Sequence, residues 1–347
     1  MFSVILGLSL CYYLALVFFT TNKPSLNPSI NLDPKKVEIA VSIFNGEKDI
    51  PSFLNSLKSF VSADQKIHFC LNGCTDNSEE LLREFCALHF KKARISLLPQ
   101  AHKKKAINLI ADSSTAEYLL LLDVDVELDS DFSIDEMICG EVDLMLYPLN
   151  LRVEKGSFLS RILEIEWDYL QLLTHSLRGK NQILGNAAAM LCKTEHLKSN
   201  KAYKDNLHIP TGDDIFLIEY LQHRGGVIRS HDKVIGVTEG VRTWRDFYKQ
   251  RIRWSSKNYS LKGIQFRVAS FLFFLRFILP YISALGCLMY GSALYVLPLL
   301  LLSLLELSRI PRKTGVFNIH HLFPLLFLPF IYLPVLILSF TKSLSYR

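Results

Sequence analysis

The sequence predicts an α/β protein with a parallel sheet, flanked at both ends by membrane helices. Strand and helix patterns alternate from residue 37 to residue 122, a rhythm typical of βαβ units whose strands lie parallel. Apolar residues are concentrated at the two ends of the 347-residue chain, whereas residues 36–265 have the composition of a soluble domain. We therefore predict one large α/β domain with membrane appendages.

The N-terminal end is the first membrane segment. Met1–Phe19 is uncharged and almost entirely apolar, about the length needed to cross a bilayer. A cleaved signal peptide would need a basic start and a small-residue cleavage site, and neither is present. We predict a transmembrane helix over 1–21 and, because prolines recur there, a linker over 22–36.

The C-terminal end, 268–347, is predicted to form a transmembrane region of about three spans, with two as the alternative. Residues 268–307 are apolar apart from Arg276 and Glu306, which is enough for a helical hairpin, and 322–340 forms a further span. Lysines follow the first span, so the middle domain should face the cytosol. We expect an integral protein of the plasma or inner membrane, or of the ER or Golgi in a eukaryote.

The elements of the middle domain follow in order from the apolar patterns. Strands are predicted at 37–44, 66–71, 93–98 and 118–122, and helices at 50–60, 78–90, 105–113, 157–177 and 214–223. In parallel sheets, ligands bind beyond the carboxyl ends of the strands. The loops 44–47, 72–77 and 123–125 should therefore converge on one pocket.

Composition excludes several classes of function. The net charge of +6 comes largely from basic residues that flank membrane segments, so nucleic acid is not an expected partner. P-loop, GxGxxG and GxSxG motifs are absent, which removes the common NTPase, dinucleotide and hydrolase interpretations. The seven cysteines lack metal-ligand spacing and are expected to be reduced thiols.

Asp123 and Asp125 come directly after the apolar strand 118–122. In extended chain they share a face, and two such carboxylates repel each other unless a cation joins them. Mg²⁺ and Mn²⁺ bind through one or two carboxylates together with substrate phosphates. The pair predicts a metal–diphosphate site, with a purely structural loop-edge role as the alternative.

A second acidic pair, Asp213-Asp214, opens the helix 214–223. Acidic side chains are favoured in the first helical turn by the helix dipole, so capping is one interpretation. The other is that one of them is a general base for an acceptor hydroxyl.

Just before the C-terminal membrane region, Gln250, Arg253 and Trp254 recur at positions i, i+3 and i+4 of a helix. Arginine offers a fork for phosphate oxygens, and tryptophan offers a stacking plane. The surrounding 241–267 is basic and aromatic, so we predict amphipathic helices in the membrane interface there. For Arg251 and the neighbouring basic residues, the interfacial role is the main alternative.

With these motifs, the chain resembles the membrane-bound family 2 glycosyltransferases of GT-A fold, which include cellulose, hyaluronan and chitin-oligosaccharide synthases and ceramide glucosyltransferase. The resemblance covers about 37–265, with a glycosyltransferase domain over 37–240. It rests on Asp123-Val124-Asp125 as a DxD motif, on Gly212-Asp213-Asp214 as the acidic pair and on Gln250-Arg253-Trp254 as QxxRW. Lys103 and Asn108 also fit a helix start of the family.

The resemblance implies an inverting, metal-dependent hexosyltransferase that uses a UDP-sugar. It assigns the base to Asp214, next to Asp213, and the Mg²⁺ or Mn²⁺ ion to Asp125. The implied nucleotide-sugar contacts are Phe44, Glu47, Asn72, Lys103, Asp123, Asp125, Gln250, Arg253 and Trp254. Asn72 replaces an aspartate usual in the family, and Met190-Leu191 stand where arginine often occurs.

The sequence does not decide which acceptor receives the sugar. A lipid acceptor needs only a groove at the membrane interface, whereas a processive polysaccharide synthase must extrude a glycan through its helices. A non-catalytic membrane scaffold is the alternative of another class, and a transporter fits less well because the spans carry few charges.

Overall fold

The computed structural model describes residues 1–21, 33–134, 142–176, 182, 184–309 and 322–344. The contacts divide the chain into two compact units. An α/β unit consists of the described residues of 24–152 and 178–239, and a helical unit consists of those of 1–23, 153–177 and 240–347.

The α/β unit contains a seven-stranded sheet among its described residues, in the order β3-β2-β1-β4-β8-β6-β9. The four predicted strands form its first half: β1 (Val37–Ile43), β2 (Lys66–Asn72), β3 (Ala93–Leu98) and β4 (Tyr118–Leu122). They pair in parallel, as predicted. Every side chain of β4 is buried, which explains why its sequence is a continuous apolar run rather than an alternating one.

The second half of the sheet has strands that the sequence analysis did not identify. They are β6 (Leu144–Leu146), β8 (Ala189–Lys193) and β9 (Ile228–Ser230). Strand β8 runs antiparallel to both β4 and β6, so the sheet as a whole is mixed and the predicted parallel strands form only its first half. Strands of three to five residues leave too short an apolar pattern to be recognised in a sequence.

A small second sheet has the order β5-β10-β7 and is formed by β5 (Val126–Leu128), β7 (Leu149–Arg152) and β10 (Gly236–Glu239). Strand β5 begins one residue after the DxD motif and pairs with β10 in register Val126↔Thr238. This pairing fixes the backbone on the far side of Asp125. The backbone on the near side is fixed because β4 is buried between β1 and β8.

Helices link these strands, and three of them lie close to their predicted bounds. They are α2 (Ile50–Phe60), α3 (Ser78–His89) and α4 (Lys103–Ser113). The amphipathic pattern of α2 explains its packing, since Phe53, Leu54 and Leu57 are all buried. The fourth, α6 (Asp213–His223), is buried over most of its length, so it belongs to the core rather than to the surface.

The helical unit contains the remaining long helices, with bounds α1 (Phe2–Thr21), α5 (Phe158–Ser176), α7 (Trp244–Ser256), α8 (Ile264–Tyr290), α9 (Leu297–Arg309) and α10 (Leu322–Leu344). Helix α5 lies within the predicted glycosyltransferase domain 37–240, but its contacts group it with the terminal helices. The domain boundaries given above stay a prediction.

Two helices of the described chain are long and apolar enough to cross a membrane, Ile264–Tyr290 and Pro324–Ser343. The apolar stretches Phe2–Val17 and Ala293–Leu307 are helical but shorter. The number of spans and their orientation stay predictions. Residues 310–321 and most of the predicted linker 22–36 lie outside the described residues.

Candidate active site

The loops after β1 and β2 are joined by hydrogen bonds at the carboxyl edge of the sheet. The carboxylate of Glu47 accepts from the side-chain amide of Asn77 at 2.9 Å and from its backbone N–H at 3.3 Å. Asn45, which has a φ of 49°, accepts from the backbone of Thr75 at 2.8 Å. Phe44, by contrast, is 55% exposed. Glu47 therefore holds the two loops together, and Phe44 offers an exposed aromatic ring at this edge.

Asn72 ends β2 and is only 4% exposed. Its side-chain oxygen accepts from the backbone N–H of His102 at 2.6 Å, directly before α4. Gly73 follows with a φ of +72°, and a Cβ there would lie 2.6 Å from the backbone N of Ala101. This close approach requires glycine. Asn72 and Gly73 thus bring the start of α4 to the edge where the DxD motif lies.

Lys103, the first residue of α4, links both acidic pairs. Its ammonium lies 2.6 Å from Oδ1 of Asp123, at the end of β4, and 2.9 Å from Oδ2 of Asp213, at the start of α6. Lys103 and Asp123 keep 28% and 30% of their side-chain surface exposed, and Asp213 keeps 10%. Two pairs that are 90 residues apart in sequence therefore meet at one cation.

Protonation in this cluster follows from burial and charge. Burial raises the pKa of Asp123 to about 6 against the lowering effect of Lys103, and the nearby Asp125 and Asp213 add to the rise. Burial lowers the pKa of Lys103, but its two carboxylate partners outweigh that and raise it above the usual range. At neutral pH the cluster therefore contains one ammonium among carboxylates.

Asp125 is exposed. Asp49, at the start of α2, lies near enough for the charge of Asp125 to affect its pKa. Burial and then the charge of Asp125 raise the pKa of Asp49. The same edge brings Gly46 against Val124, whose Cγ1 would lie 3.3 Å from a Cβ at that glycine. Asp49 is thus an acidic neighbour of the DxD motif that motif reasoning missed. Its only sequence signal is its position six residues after β1.

The acidic pair is presented by a sharp turn into α6. Gly212 has a φ of 88°, a left-handed conformation that glycine adopts at little cost. Asp214 is 9% exposed and its Oδ1 accepts from the N–H of Ile215 at 2.7 Å. Tyr203 donates to the backbone carbonyl of Asp213 at 2.8 Å. The N-cap is Gly212 and has no side-chain cap, so the acidic pair lies in the first turn of α6 rather than at its cap, with Asp213 paired to Lys103.

Residues 185–188 lie between the two acidic pairs. The backbone N–H of Asp123 donates to the carbonyl of Ala188 at 3.0 Å. A Cβ on Gly185 would lie 3.2 Å from Cβ of Asp214 and 2.8 Å from Cδ1 of Ile218. Gly185 is thus needed for the close approach of this segment to Asp214, and the sequence alone offered no pattern that would reveal it.

The QxxRW residues lie on α7, which belongs to the helical unit. Gln250 and Trp254 are half-buried, whereas Arg253 is exposed. The residue between them, Arg251, is 3% exposed and forms an ion pair with Glu166 of α5. The expectation that Arg251 lies in the membrane interface was therefore wrong, because its charge is neutralised inside the unit.

Another cluster has the composition of a metal site but different surroundings. Asp143, Glu195 and His196 are the group among the described residues whose possible ligand atoms lie within 4.8 Å of one another. Asp143 accepts from His196 at 2.9 Å and pairs with Lys193 at 3.2 Å. Lys193 lies opposite Tyr118, at the amino end of β4. This cluster is therefore at the opposite edge of the sheet from the DxD motif and has its own cation.

Comparison with known proteins agrees with this architecture. The family model described as "Glycosyl transferase family 2" matches residues 38–138. The mannosyltransferase PcManGT from Pyrobaculum calidifontis, solved in complex with GDP-Man and Mn²⁺, is 14% identical with a TM-score of 0.63, over 99% of each chain. A search of the curated proteins found no match.

More distant structures include S. aureus TarS 1–349 in complex with UDP, 16% identical over 90% of this chain and 91% of that one, with a TM-score of 0.42. The glucosyl-3-phosphoglycerate synthase of Mycobacterium tuberculosis, in complex with phosphoglyceric acid, is 15% identical over 63% and 77%, with a TM-score of 0.40. The assignment of the fold rests on the family match and on PcManGT.

The mixed sheet with a DxD motif at the end of β4 defines a GT-A glycosyltransferase fold, and the predicted fold class is confirmed. The match to the family 2 glycosyltransferase model is carried by residues 38–138, less than a third of the chain. The α/β unit brings together Lys103, Asp123 and Asp213 of the predicted site residues. Gln250, Arg253 and Trp254 lie in the other unit, and their role towards the donor stays a prediction.

Proposed function

We propose that this protein is an inverting glycosyltransferase that moves a sugar from a UDP-sugar to a lipid acceptor at the cytosolic face of a membrane. The observation that carries the proposal is the position of Lys103, 2.6 Å from Asp123 and 2.9 Å from Asp213. One lysine thereby joins a candidate donor-binding carboxylate to the pair that contains the candidate base. Direct displacement needs these two functions side by side.

The donor set fits a divalent cation. Asp123 and Asp125 offer the hard oxygen ligands that Mg²⁺ and Mn²⁺ prefer, and Asp49 adds a carboxylate whose pKa is raised by burial and then by the charge of Asp125. Crowded carboxylates of this kind favour a bound cation. Asp125 would hold the ion, which when bound would neutralise charge on the departing diphosphate.

The chain's own residues would perform the remaining steps. Asp214 takes the proton of the acceptor hydroxyl as its oxygen bonds to the anomeric carbon, while the bond from that carbon to the diphosphate breaks. Asp123 binds the nucleoside side of the donor, and Lys103 exchanges its carboxylate partners for diphosphate oxygens. Phe44, which is 55% exposed, offers a surface for the base. Arg253 would bind the diphosphate, and Gln250 and Trp254 would bind the acceptor.

A lipid acceptor is supported by the helical unit, which contains two helices long and apolar enough to cross a membrane. A lipid can reach its hydroxyl to the site from the bilayer surface, whereas a growing polysaccharide needs a route through the helices. Product length separates the two acceptors: one sugar per lipid supports the proposal, and a ladder of products contradicts it.

The direct test is a screen of UDP- and GDP-sugars for nucleotide release by the purified protein in detergent with added lipid, with and without a chelator. We expect release with one donor and loss of release in the chelator, restored by Mg²⁺ or Mn²⁺. Full activity in the chelator would remove the metal from the mechanism. No release with any donor would favour a non-catalytic scaffold.

A further inference from the structure

The side chain of Arg251, between the family-motif positions of α7, is enclosed on several sides. Its Nε lies 3.0 and 3.1 Å from the two carboxylate oxygens of Glu166, and its Nη2 also donates to Glu166. The side-chain exposures are 4% for Arg251 and 5% for Glu166. A buried, two-oxygen pair of this kind is held in one geometry, because any rotation would leave a charge unpaired in the interior.

The flat faces of the guanidinium are also in contact. The carbon at its centre lies 4.6 Å from the ring centroid of Phe247 and 4.5 Å from that of Trp254. These rings stand four residues before and three residues after Arg251 on the same helix, so both reach its side chain. A cation over an aromatic face is attracted by the electron-rich ring. The indole of Trp254 is therefore held by Arg251.

The remaining edge of the guanidinium holds the motif's glutamine. Nη1 of Arg251 donates to Oε1 of Gln250. Two of the three QxxRW side chains, Gln250 and Trp254, thus contact the arginine between them, whereas Arg253 is exposed.

We propose that Arg251, anchored by Glu166, is a positioning residue that fixes the indole of Trp254 and the amide of Gln250 for the acceptor. This inference rests on the proposed function, in which Trp254 and Gln250 meet the ligands. Arg251 itself is buried, and its guanidinium already donates to Glu166 and Gln250, so we assign it no direct contact with the ligands. Loss of the guanidinium should therefore loosen acceptor recognition without changing the use of the donor.

The position of Trp254 is tested first, without any substrate. The chain has three tryptophans, so Trp167→Phe with Trp244→Phe leaves Trp254 as a single reporter. In that background, Arg251→Met should raise the acrylamide quenching constant of the fluorescence at least twofold. Arg245→Met is the matched control, since Arg245 is an exposed cation of the same helix, and it should leave quenching unchanged. Equal quenching in the two variants would overturn the proposal.

Kinetics then separate positioning from stability. Arg251→Met leaves Glu166 buried without its partner, so this variant is expected to unfold at a lower temperature than the wild type. Arg251→Met combined with Glu166→Leu replaces the pair by apolar groups, so its unfolding temperature should return most of the way to the wild-type value. In this stable double variant we expect the KM for the acceptor to rise at least tenfold, with kcat changed less than threefold and acceptor-free donor hydrolysis unchanged.

A wild-type KM in the stable double variant would show that the pair serves folding alone and would overturn the proposal. A fall in donor hydrolysis would also overturn it, because the effect would then lie with the donor. If the wild-type protein releases no nucleotide with any donor, the proposed function fails, but the quenching experiment still decides whether Arg251 positions Trp254.

Discussion

Charged side chains are arranged in opposite ways in the two units of this protein. In the α/β unit, Lys103 and Asp123 meet at the carboxyl edge of the sheet and keep 28% and 30% of their surface exposed. In the helical unit, Arg276 and Glu306 are 7% and 1% exposed, and Nε of Arg276 lies 2.9 Å from Oε1 of Glu306. The first pair is open to solvent and the second is closed.

The difference teaches what each pair can do. An open pair exchanges its partners for water or a ligand at low cost, since its charges are partly solvated already. A closed pair cannot lose one member without leaving a charge in a low dielectric. Burial, rather than the presence of a salt bridge, therefore separates the candidate site of the α/β unit from the framework of the helical unit.

The closed pair also compensates for a break in a helix. Pro329 has no N–H, so the carbonyl of Leu325 has no donor four residues later in α10. Nη2 of Arg276 lies 3.5 Å from that carbonyl and 3.4 Å from the hydroxyl of Ser303. Arg276, on α8, thus contacts both α9 and α10, as expected of a charged residue inside an apolar helical bundle.

The largest effect is expected at the acidic pair of the open site. Asp214→Asn removes the candidate base while keeping its shape, so transfer should fall about 10²- to 10⁴-fold. Donor binding, measured by calorimetry with the nucleotide sugar, should survive. Asp213→Asn is the matched control, because it changes the neighbouring carboxylate and leaves the candidate base in place, so its transfer rate should fall much less. Near-normal turnover in Asp214→Asn would show that the base lies elsewhere.

The next effect is at the closed pair. Arg276→Met should lower the free energy of unfolding by about 3–5 kcal/mol, because it leaves the Glu306 carboxylate buried without its partner. Arg276→Met combined with Glu306→Leu should recover most of the loss. Thermal unfolding in detergent measures both. If the single variant unfolds at the wild-type temperature, the pair is not closed in solution and the contrast between the two units disappears.

A closed group in the α/β unit gives a pH test. Burial, followed by the charge of Arg94, lowers the pKa of His68 to about 4, against the raising effect of Glu38. Below pH 6.5 the imidazole of His68 binds a proton in the unfolded chain, whereas in the folded chain it stays neutral until about pH 4. Stability should therefore fall by roughly 3 kcal/mol as pH drops through this window.

The variant that checks this prediction is His68→Gln, which should flatten the pH dependence of the unfolding midpoint between those values. The ring lies 2.7 Å from the hydroxyl of Ser96, and glutamine can make a similar hydrogen bond. An unchanged pH slope in His68→Gln would assign the titration to another group.

The smallest effect on stability is expected at Lys103. Asp123 is partly solvated but Asp213 keeps only 10% of its side-chain surface exposed, so Lys103→Met should lower the free energy of unfolding by about 1–2 kcal/mol, less than Arg276→Met. Donor affinity should nevertheless fall roughly tenfold, as expected for one lost charge-assisted contact to phosphate. A large loss of stability with unchanged donor affinity would make Lys103 a framework residue like Arg276.

The sequence predicted the first half of the sheet well because long local patterns specify it. The apolar run 118–122 and the amphipathic helix 50–60 match their elements residue for residue. The missed strands β6, β8 and β9 are short, and their pairing across 44 residues or more leaves no local signal. Leu191, for example, is in β8 only because Leu120 lies beside it.

For the site, residue types and order were enough to select Asp123, Asp125, Asp213 and Asp214 as candidates, but not to pair them. Motif reasoning treated Lys103 as one of several phosphate contacts, whereas its ammonium joins the two acidic pairs. It also emphasised Arg253 and took Arg251 for an interfacial residue. Spacing along a helix shows which residues share a face, but not which face is buried.

The sequence by itself determined the local elements of this protein and the residue types at its candidate site, because helical and strand periodicity and motif spacing are properties of nearby residues. Only the tertiary structure decided which charges meet and how far water reaches them. Lys103 lies 20 residues before Asp123 and 110 before Asp213 in the sequence, and Arg251 lies 85 residues after Glu166. Contacts over such distances, and the dielectric around them, arise from packing.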